Sequence, residues 1–393
     1  AVVTLRWLHN FLQYSLRAER RIDPWLRPAL DGLLQRPGTA LVQRLALLWY
    51  RGDDLELAQE RVGPDEERLL EQVIAHMRQH MAQDFAPQEM ERGGNTKTHG
   101  VVRGELEVHA DLPEPLRKGI FAVQRSYPAW VRLGGPGPHT PPDIDDVGVL
   151  SIGVKLMDVP GPKLMEDERF TQALTGISCP TFTTPTLREN VCLQVWSLRE
   201  LPLWYFLGPR PHVLDLLMQG LWSRTQGNPL GTAYYSCVPY LLGEGTAMQY
   251  AFLPEGKVDM KVEGLPRRPS DHYLRENMAR TLARQDVAFT MTVQVQTDAR
   301  RMPIEHAGIL WPEKLSPRVP VATLRIPRQT FDTPAQMAFA RNLSYNPWHS
   351  IAAHRPLGNL NRARRRIYAE LARFRQASNA VAHIEPTGAE RFD

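Results

Sequence analysis

The sequence predicts an α+β protein made of a helical arm, an antiparallel β-barrel and a helical tail. Leucines recur at helical spacing near the start of the chain. Apolar and polar residues alternate strictly in its later half, and a run of strong helix formers follows Pro356-Leu-Gly358.

The arm covers residues 1–90. Leu5, Leu8, Leu12 and Leu16 fall three or four apart, and Leu41, Leu45, Leu47 and Leu48 form a second apolar cluster ending at Trp49-Tyr50. From Pro64, at a first helical position, Leu70, Val73, Ile74, Met77 and Met81 continue one stripe. Residues 91–335 read as the barrel. Phe289, Met291, Val293 and Val295 alternate with Thr290, Thr292, Gln294 and Gln296, the period-two signature of a half-buried strand. Ala247 to Leu253 and Val319 to Ile326 look similar, and Pro/Gly clusters such as Gly134-Gly-Pro-Gly-Pro138 separate the runs. Residues 270–285 read as a helical excursion between strands. In the third region, 336–393, a wrapping segment leads to a helix from Arg362 to about Ala380, with Asn359 or Asn361 as its cap.

A chain of 393 residues can bury a full-sized core, and 33 prolines predict many turns rather than a helical bundle. Cys179, Cys192 and Cys237 are too few and too scattered for a disulfide framework or a thiolate zinc site, so a cytoplasmic location is expected. The net charge of +4 rests on 40 Arg and 7 Lys spread along the whole chain. No nucleic-acid-binding motif accompanies them, and nucleic acid is not an expected partner. No apolar run is long enough to span a bilayer, and no signal peptide is visible. Residues 1–51 hold eight arginines against three acids. Such a basic amphipathic arm packs on the body or on a second subunit, or lies on an anionic membrane surface. A homodimer and a peripheral membrane contact are therefore the two partner expectations for the arm.

The tail helix carries the chemistry. Arg364, Tyr368 and Arg375 sit at i, i+4 and i+11 and share one face. A tyrosine that binds ferric iron as phenolate needs a nearby cation, and Arg364 one turn back supplies a guanidinium that never deprotonates. Arg375, two turns on, can reach a carboxylate. An Arg-x-x-x-Tyr pair alone is unspecific. The longer run Tyr345-Asn-Pro-Trp348, His354-Arg-Pro-Leu-Gly358, Asn361-Arg-Ala-Arg364 and Tyr368 resembles the C-terminal haem-ligand segment of the catalase superfamily, most of all its smaller catalase-related haem proteins of the coral allene oxide synthase type. Gly104-Glu-Leu-Glu-Val108, Asp111-Leu-Pro113, Gly119-Ile-Phe121 and Tyr127-Pro-Ala-Trp-Val-Arg132 look like that family's first barrel strands. Pro180-Thr-Phe182 resembles its Pro-x-Phe distal turn, and Pro303-Ile-Glu305, Trp311-Pro-Glu313 and Ser316-Pro317 a later connection. The likeness runs in order from about residue 90 to 376.

The resemblance implies a catalase-type barrel with haem b buried between barrel and tail helix. Tyr368 would be the iron ligand and Arg364 its charge partner, with Arg92, Arg132 and Arg375 around the haem propionates. It also exposes departures. Where catalases use a distal histidine, alignment on Arg92 and Gly100 places Asn95, and a one-residue slip places Thr96. The distal asparagine becomes Ser178, the serine after the Val-Arg strand becomes Gly134, and an Arg-Gly pair becomes Leu150-Ser151 ahead of Lys155. His99, four residues after Asn95, is the alternative base, or a histidine hydrogen-bonded near a strand start. A positioned acid–base contributes ~10²–10⁴-fold to such proton transfers, and an asparagine amide shuttles no proton at neutral pH. Efficient hydrogen peroxide dismutation is not expected. Asn95, Ser178 and His99 remain the candidate catalytic residues, and a small apolar organic substrate, a fatty-acid hydroperoxide or specialised metabolite, is the expected partner. The alternative is a non-catalytic haem binder with a degenerate distal site. His76 and His80 stand at zinc-compatible spacing, but no third ligand is apparent, so a plain helix surface is expected there.

Overall fold

The computed structural model describes the chain except Ala1, Arg51, Asp53, Pro136, Pro138 and Asp393, with side chains from Arg6 onward. Leu5 of the first leucine stripe and the two prolines of the Gly134–Pro138 turn therefore lie outside the described side chains. The arm is a continuous helical rod. Helix α1 (Val2–Leu30) passes through one π turn (Asp31–Gln35) into α2 (Arg36–Trp49). Pro24 and Pro28 each remove a backbone donor from α1, and the wider π turn follows them at once. Polar anchors hold the rod on the body. Arg20 donates to the Asp146 carbonyl, Arg27 to that of Gly220 at 2.7 Å, and Gln43 to that of Gly308 at 3.2 Å. The outward side shows Trp7, Phe11, Tyr14, Trp25, Leu33 and Trp49 to solvent. Helix α3 (Glu66–Asp84) follows and packs on the body through Leu70, Val73, Ile74 and Met81.

Among the described residues, nine antiparallel strands form the sheet: β1 (Thr98–Val108), β2 (Ser126–Gly134), β3 (Ser151–Leu156), β4 (Gln172–Ile177), β5 (Tyr234–Tyr235), β6 (Tyr240–Leu241), β7 (Ala247–Glu255), β8 (Val287–Val295) and β9 (Val319–Ile326). Pairing runs β5-β4-β3-β2-β1-β9-β8-β7, and Tyr234 and Tyr235 of β5 pair with Phe252 and Ala251 of β7. That last contact closes an eight-stranded barrel, with β6 continuing along the edge of β7. Val102, Leu106, Val131, Leu133, Val154, Phe289, Met291 and Leu324 fill its interior. Burying each contributes about 1.5–3 kcal/mol relative to exposure.

The strands at 247–253, 287–295 and 319–326 stand where the alternation puts them, with one correction. The polar face of β8 is buried too: Gln294 donates to the Trp311 and Ser316 carbonyls and Gln296 to that of Met302. Residues 297–318 cover that face, and the glutamines satisfy the backbone of the covering segment. Helix α4 (Leu187–Leu198), α5 (Leu203–Leu207) and α6 (Val213–Trp222) bridge β4 and β5, which the sequence reading did not anticipate. The excursion is α7 (Tyr273–Leu282), and α8 (Pro334–Asn342) leads to the tail helix α9 (Asn359–Ser378). Neither expected asparagine caps α9. Gly358, at φ +88°, is the N-cap, a conformation that favours glycine. Asn359 accepts from the Leu187 amide, and Asn361 donates to the Pro239 carbonyl at 2.8 Å. The three cysteines are free. Among the described residues, no helix is long and apolar enough to cross a membrane.

Candidate functional site

Helix α9 lays Arg364, Tyr368 and Arg375 along the outer face of β2 to β4. Arg364 Nη2 donates to the Tyr368 hydroxyl at 2.9 Å, and its guanidinium carbon lies 4.9 Å from the centre of the Tyr368 ring. The same guanidinium donates to Thr175 Oγ1 on β4 at 2.8 Å and to Asn361 Oδ1 at 3.0 Å, which fixes its plane. Burial disfavours its charge, but Tyr368 and Tyr240 more than reverse this and raise its pKa. Arg364 is a permanent cation locked against the Tyr368 oxygen.

Further along α9, Arg375 meets Arg92 and Arg132. Arg132 and Arg375 are each only 4% exposed. Arg132 Nη2 donates to the Asn95 carbonyl at 2.7 Å, and its Nε to Thr98 Oγ1 at 3.1 Å. Gly134 makes this pose available, because a Cβ there would stand 2.8 Å from Arg132 Nη1 and from the Lys97 carbonyl. Arg92 donates to the Ala340 and Leu343 carbonyls, yet its Nη1 is buried without a partner, as is Arg375 Nε. Burial and then mutual repulsion push Arg132 down to about 9 and hold Arg375 well below the usual guanidinium range. Tyr345 and Tyr368 lie close enough to act on Arg92 and Arg132. Glu91 is the acid whose field reaches all three arginines, and its Oε1 is already taken by Arg341 at 2.7 Å. Among the described residues, two of the three cations, Arg92 and Arg375, keep a buried donor without an acceptor, and the Oε2 of Glu91 is unpaired as well. Arg92, Thr175, Ile177, Arg364 and Tyr368 are all half-buried.

The three candidates near the start of β1 separate cleanly. Asn95 adopts φ +50°, a conformation Asn tolerates well, and is half-buried; among the described residues its amide holds no hydrogen bond. Thr96 is fully buried, with Oγ1 donating to the Arg92 carbonyl at 2.9 Å. His99 is the extra residue of a bulge between Thr98 and Gly100, which turns it onto Asp143, Nδ1 to Oδ1 at 3.7 Å. Lys97 holds the same Asp143 oxygen at 2.6 Å. Burial, then the charges of Lys97, Arg132 and Arg275, keep His99 well below its usual range, so it is neutral at pH 7. The geometry joins Arg92, Arg132, Arg364, Tyr368 and Arg375, and His99 lies beside Asp143 within reach of the Arg132 charge.

Ser178 joins two strands. Its Oγ accepts from the Leu150 amide at 2.8 Å and its amide donates to the Leu150 carbonyl at 2.8 Å, fastening the end of β4 to the start of β3. Strand alternation decides what β4 shows to α9. Thr175 faces Arg364, so Ile177, two residues on, shares that face, and Ser178 lies just past the end of the strand. Sequence reasoning also missed Thr175, Tyr240 and Glu91; Tyr345 stood in a recognised motif without a role. The expectation of a bare surface at His80 is corrected as well: His80 is 9% exposed and contacts Asp84 and His139.

No protein-family model matches the chain, and no curated protein matches it in sequence. Solved structures do. A fungal catalase superposes with TM-score 0.57 at 15% identity, over 82% of this chain and 66% of that one. A bacterial catalase gives TM-score 0.51 at 16% identity, over 86% and 67%. Catalase A from Saccharomyces cerevisiae gives TM-score 0.60 at 13% identity, over 87% and 72%. The chain thus spans about two thirds of the length of the first two catalases. Its eight-stranded barrel, long N-terminal helix and C-terminal helix are the catalase fold.

Proposed function

We propose that this chain is a haem enzyme of the catalase superfamily that uses Tyr368 as iron ligand and acts on a small apolar organic substrate rather than dismutating hydrogen peroxide. The observation that carries the reading is the convergence of Arg92, Arg132 and Arg375 beside Tyr368 with Glu91 as their one shared acid. Two haem propionates would neutralise these cations and use the buried donors Arg92 Nη1 and Arg375 Nε. Arg364 stabilises negative charge on the Tyr368 oxygen, the atom that would ligate iron. Haem bound there would supply redox and Lewis-acid chemistry at its iron.

The chain's own groups set what that chemistry can act on. Asn95 offers an uncommitted amide that orients a polar substrate atom but moves no proton at neutral pH. Ile177 offers apolar surface on the neighbouring strand. His99 Nδ1 lies 3.7 Å from Asp143 Oδ1 and its Nε2 is buried without a partner among the described residues, while Ser178 Oγ accepts from the Leu150 amide. With Asn95 in the distal histidine position, hydrogen peroxide cleavage would lack the ~10²–10⁴-fold of a positioned acid–base. A fatty-acid hydroperoxide or specialised metabolite that carries its own leaving group needs chiefly orientation, which a shaped apolar pocket provides. This agrees with the motif likeness to the smaller catalase-related haem proteins.

The test is the absorption spectrum of the full chain supplied with haem b, beside a Tyr368→Phe variant. The parent should show a Soret band, and the variant should lose haem or change its charge-transfer bands. A parent that takes up no haem, or a variant with an unchanged spectrum, rejects the assignment. Oxygen release from hydrogen peroxide at the rate of an authentic catalase rejects the substrate class.

A further inference from the structure

A second cluster, outside the arginine site, joins α3 to the loop after β2. His80 and Asp84 stand one turn apart on α3, and His139 reaches them from the loop. Asp84 Oδ2 contacts His80 Nδ1 and lies 3.3 Å from His139 Nδ1, and the two imidazole rings are 5.2 Å apart. One donor atom from each of the three falls within 4.8 Å of the others. Donors held about 2.1 Å from a tetrahedral ion stand about 3.4 Å from one another, so the His139–Asp84 edge already has the required length. The His80–Asp84 edge is shorter, and a side-chain rotation within one helical turn opens it.

We propose that His80, Asp84 and His139 bind one zinc ion. Two imidazoles and one carboxylate are the donor set of three-ligand zinc sites that leave a fourth position to water. The burial is graded to suit this: His80 is 9%, Asp84 24% and His139 59% exposed, so the closed side is protein and the open side is solvent. The ion clamps the loop to the helix. That loop also receives the Thr96 amide at the Gly137 carbonyl (3.2 Å) and donates from the Gly135 amide to the Lys97 carbonyl (2.8 Å). The clamp thus braces residues 95–97, of which Asn95 and Thr96 hold Arg132 through their carbonyls.

Isothermal titration of the chelator-stripped full chain with zinc chloride, parent beside His139→Ala, tests the site. His139 is mostly exposed, so its removal leaves the fold intact, which circular dichroism checks. One saturable equivalent in the parent is expected, with affinity at least ten-fold weaker in the variant and a zinc-dependent rise in melting temperature that only the parent shows. No saturable binding by the parent overturns the proposal, and so does equal affinity in the two proteins.

Discussion

Arg375 is worth most attention among single residues because its surroundings contradict its charge. It is 4% exposed, its Nε is buried without a partner, and two further guanidiniums repel it. Without an anion that side chain destabilises the fold, and with one it becomes an anchor. Arg375→Leu should therefore raise the unfolding free energy of the haem-free protein by about 1–4 kcal/mol while weakening haem retention at least ten-fold. Urea unfolding and haem transfer to an acceptor protein measure the two effects, and a loss in both would contradict the account. Residues of this kind are legible in sequence because their chemistry is distinctive and their spacing local. Ser178 shows the limit: its hydroxyl is taken by the Leu150 amide, a partner that only the pairing of β4 with β3 brings near. The bulge at His99 and the meeting of His80 with His139 are likewise tertiary facts with no local mark.

At the scale of elements, α9 has two working faces. One carries Arg364, Tyr368 and Arg375, and the other carries Arg362 and Arg366. Arg362 donates to Glu60 at 2.7 Å, Glu66 at 2.8 Å and Glu305 at 2.8 Å, tying α9 to α3, to the segment before it and to the connection after β8. These three carboxylates raise its pKa despite its burial. Arg362→Ala would leave them partly desolvated and uncompensated. We expect a loss on the order of 2 kcal/mol in urea unfolding, with a perturbed haem spectrum as α9 loosens. A stability change within 0.5 kcal/mol, the usual range for surface substitutions, would show that α9 needs no such tie. The tail helix was readable because its helix formers run unbroken after Gly358. Helices α4 to α6 were not, since their residues are half-buried on several sides and show no clean stripe. One signal was available: Thr186 and Glu189 match the S/T-x-x-E spacing of a helix start, although their side chains bond each other and not the backbone amides. The alternation in β8 gave its register but not the burial of its polar face, which depends on a covering segment more than one strand away.

For the molecule as a whole, one buried cluster stitches distant segments together. Lys155 of β3 pairs with Glu168, which also receives Thr171 and contacts His349 (3.2 Å) and His383 (3.3 Å), from before and after α9. Burial pushes the Glu168 carboxyl up, but the Lys155 charge and the His383 hydrogen bond outweigh it and bring it down to about 2. A depressed carboxyl stabilises the fold above its unfolded pKa of about 4.3, and that stabilisation is lost as pH falls toward the folded value. The parent should therefore lose on the order of 3 kcal/mol more than a Lys155→Met/Glu168→Gln double variant between about pH 5 and pH 2. Parallel stability curves from urea titrations at successive pH values would refute this. Closure of the barrel has a consequence on another axis, that of synthesis. Its first strand pairs with its last, Glu105 with Arg325, so the ring cannot shut until residue 326 has left the ribosome. Arg92 and Arg132 emerge early with nothing to face, and Tyr368 and Arg375 arrive later than every strand. The arginine cluster beside Tyr368 is therefore a late product of chain growth, assembled only after every strand of the barrel has been made.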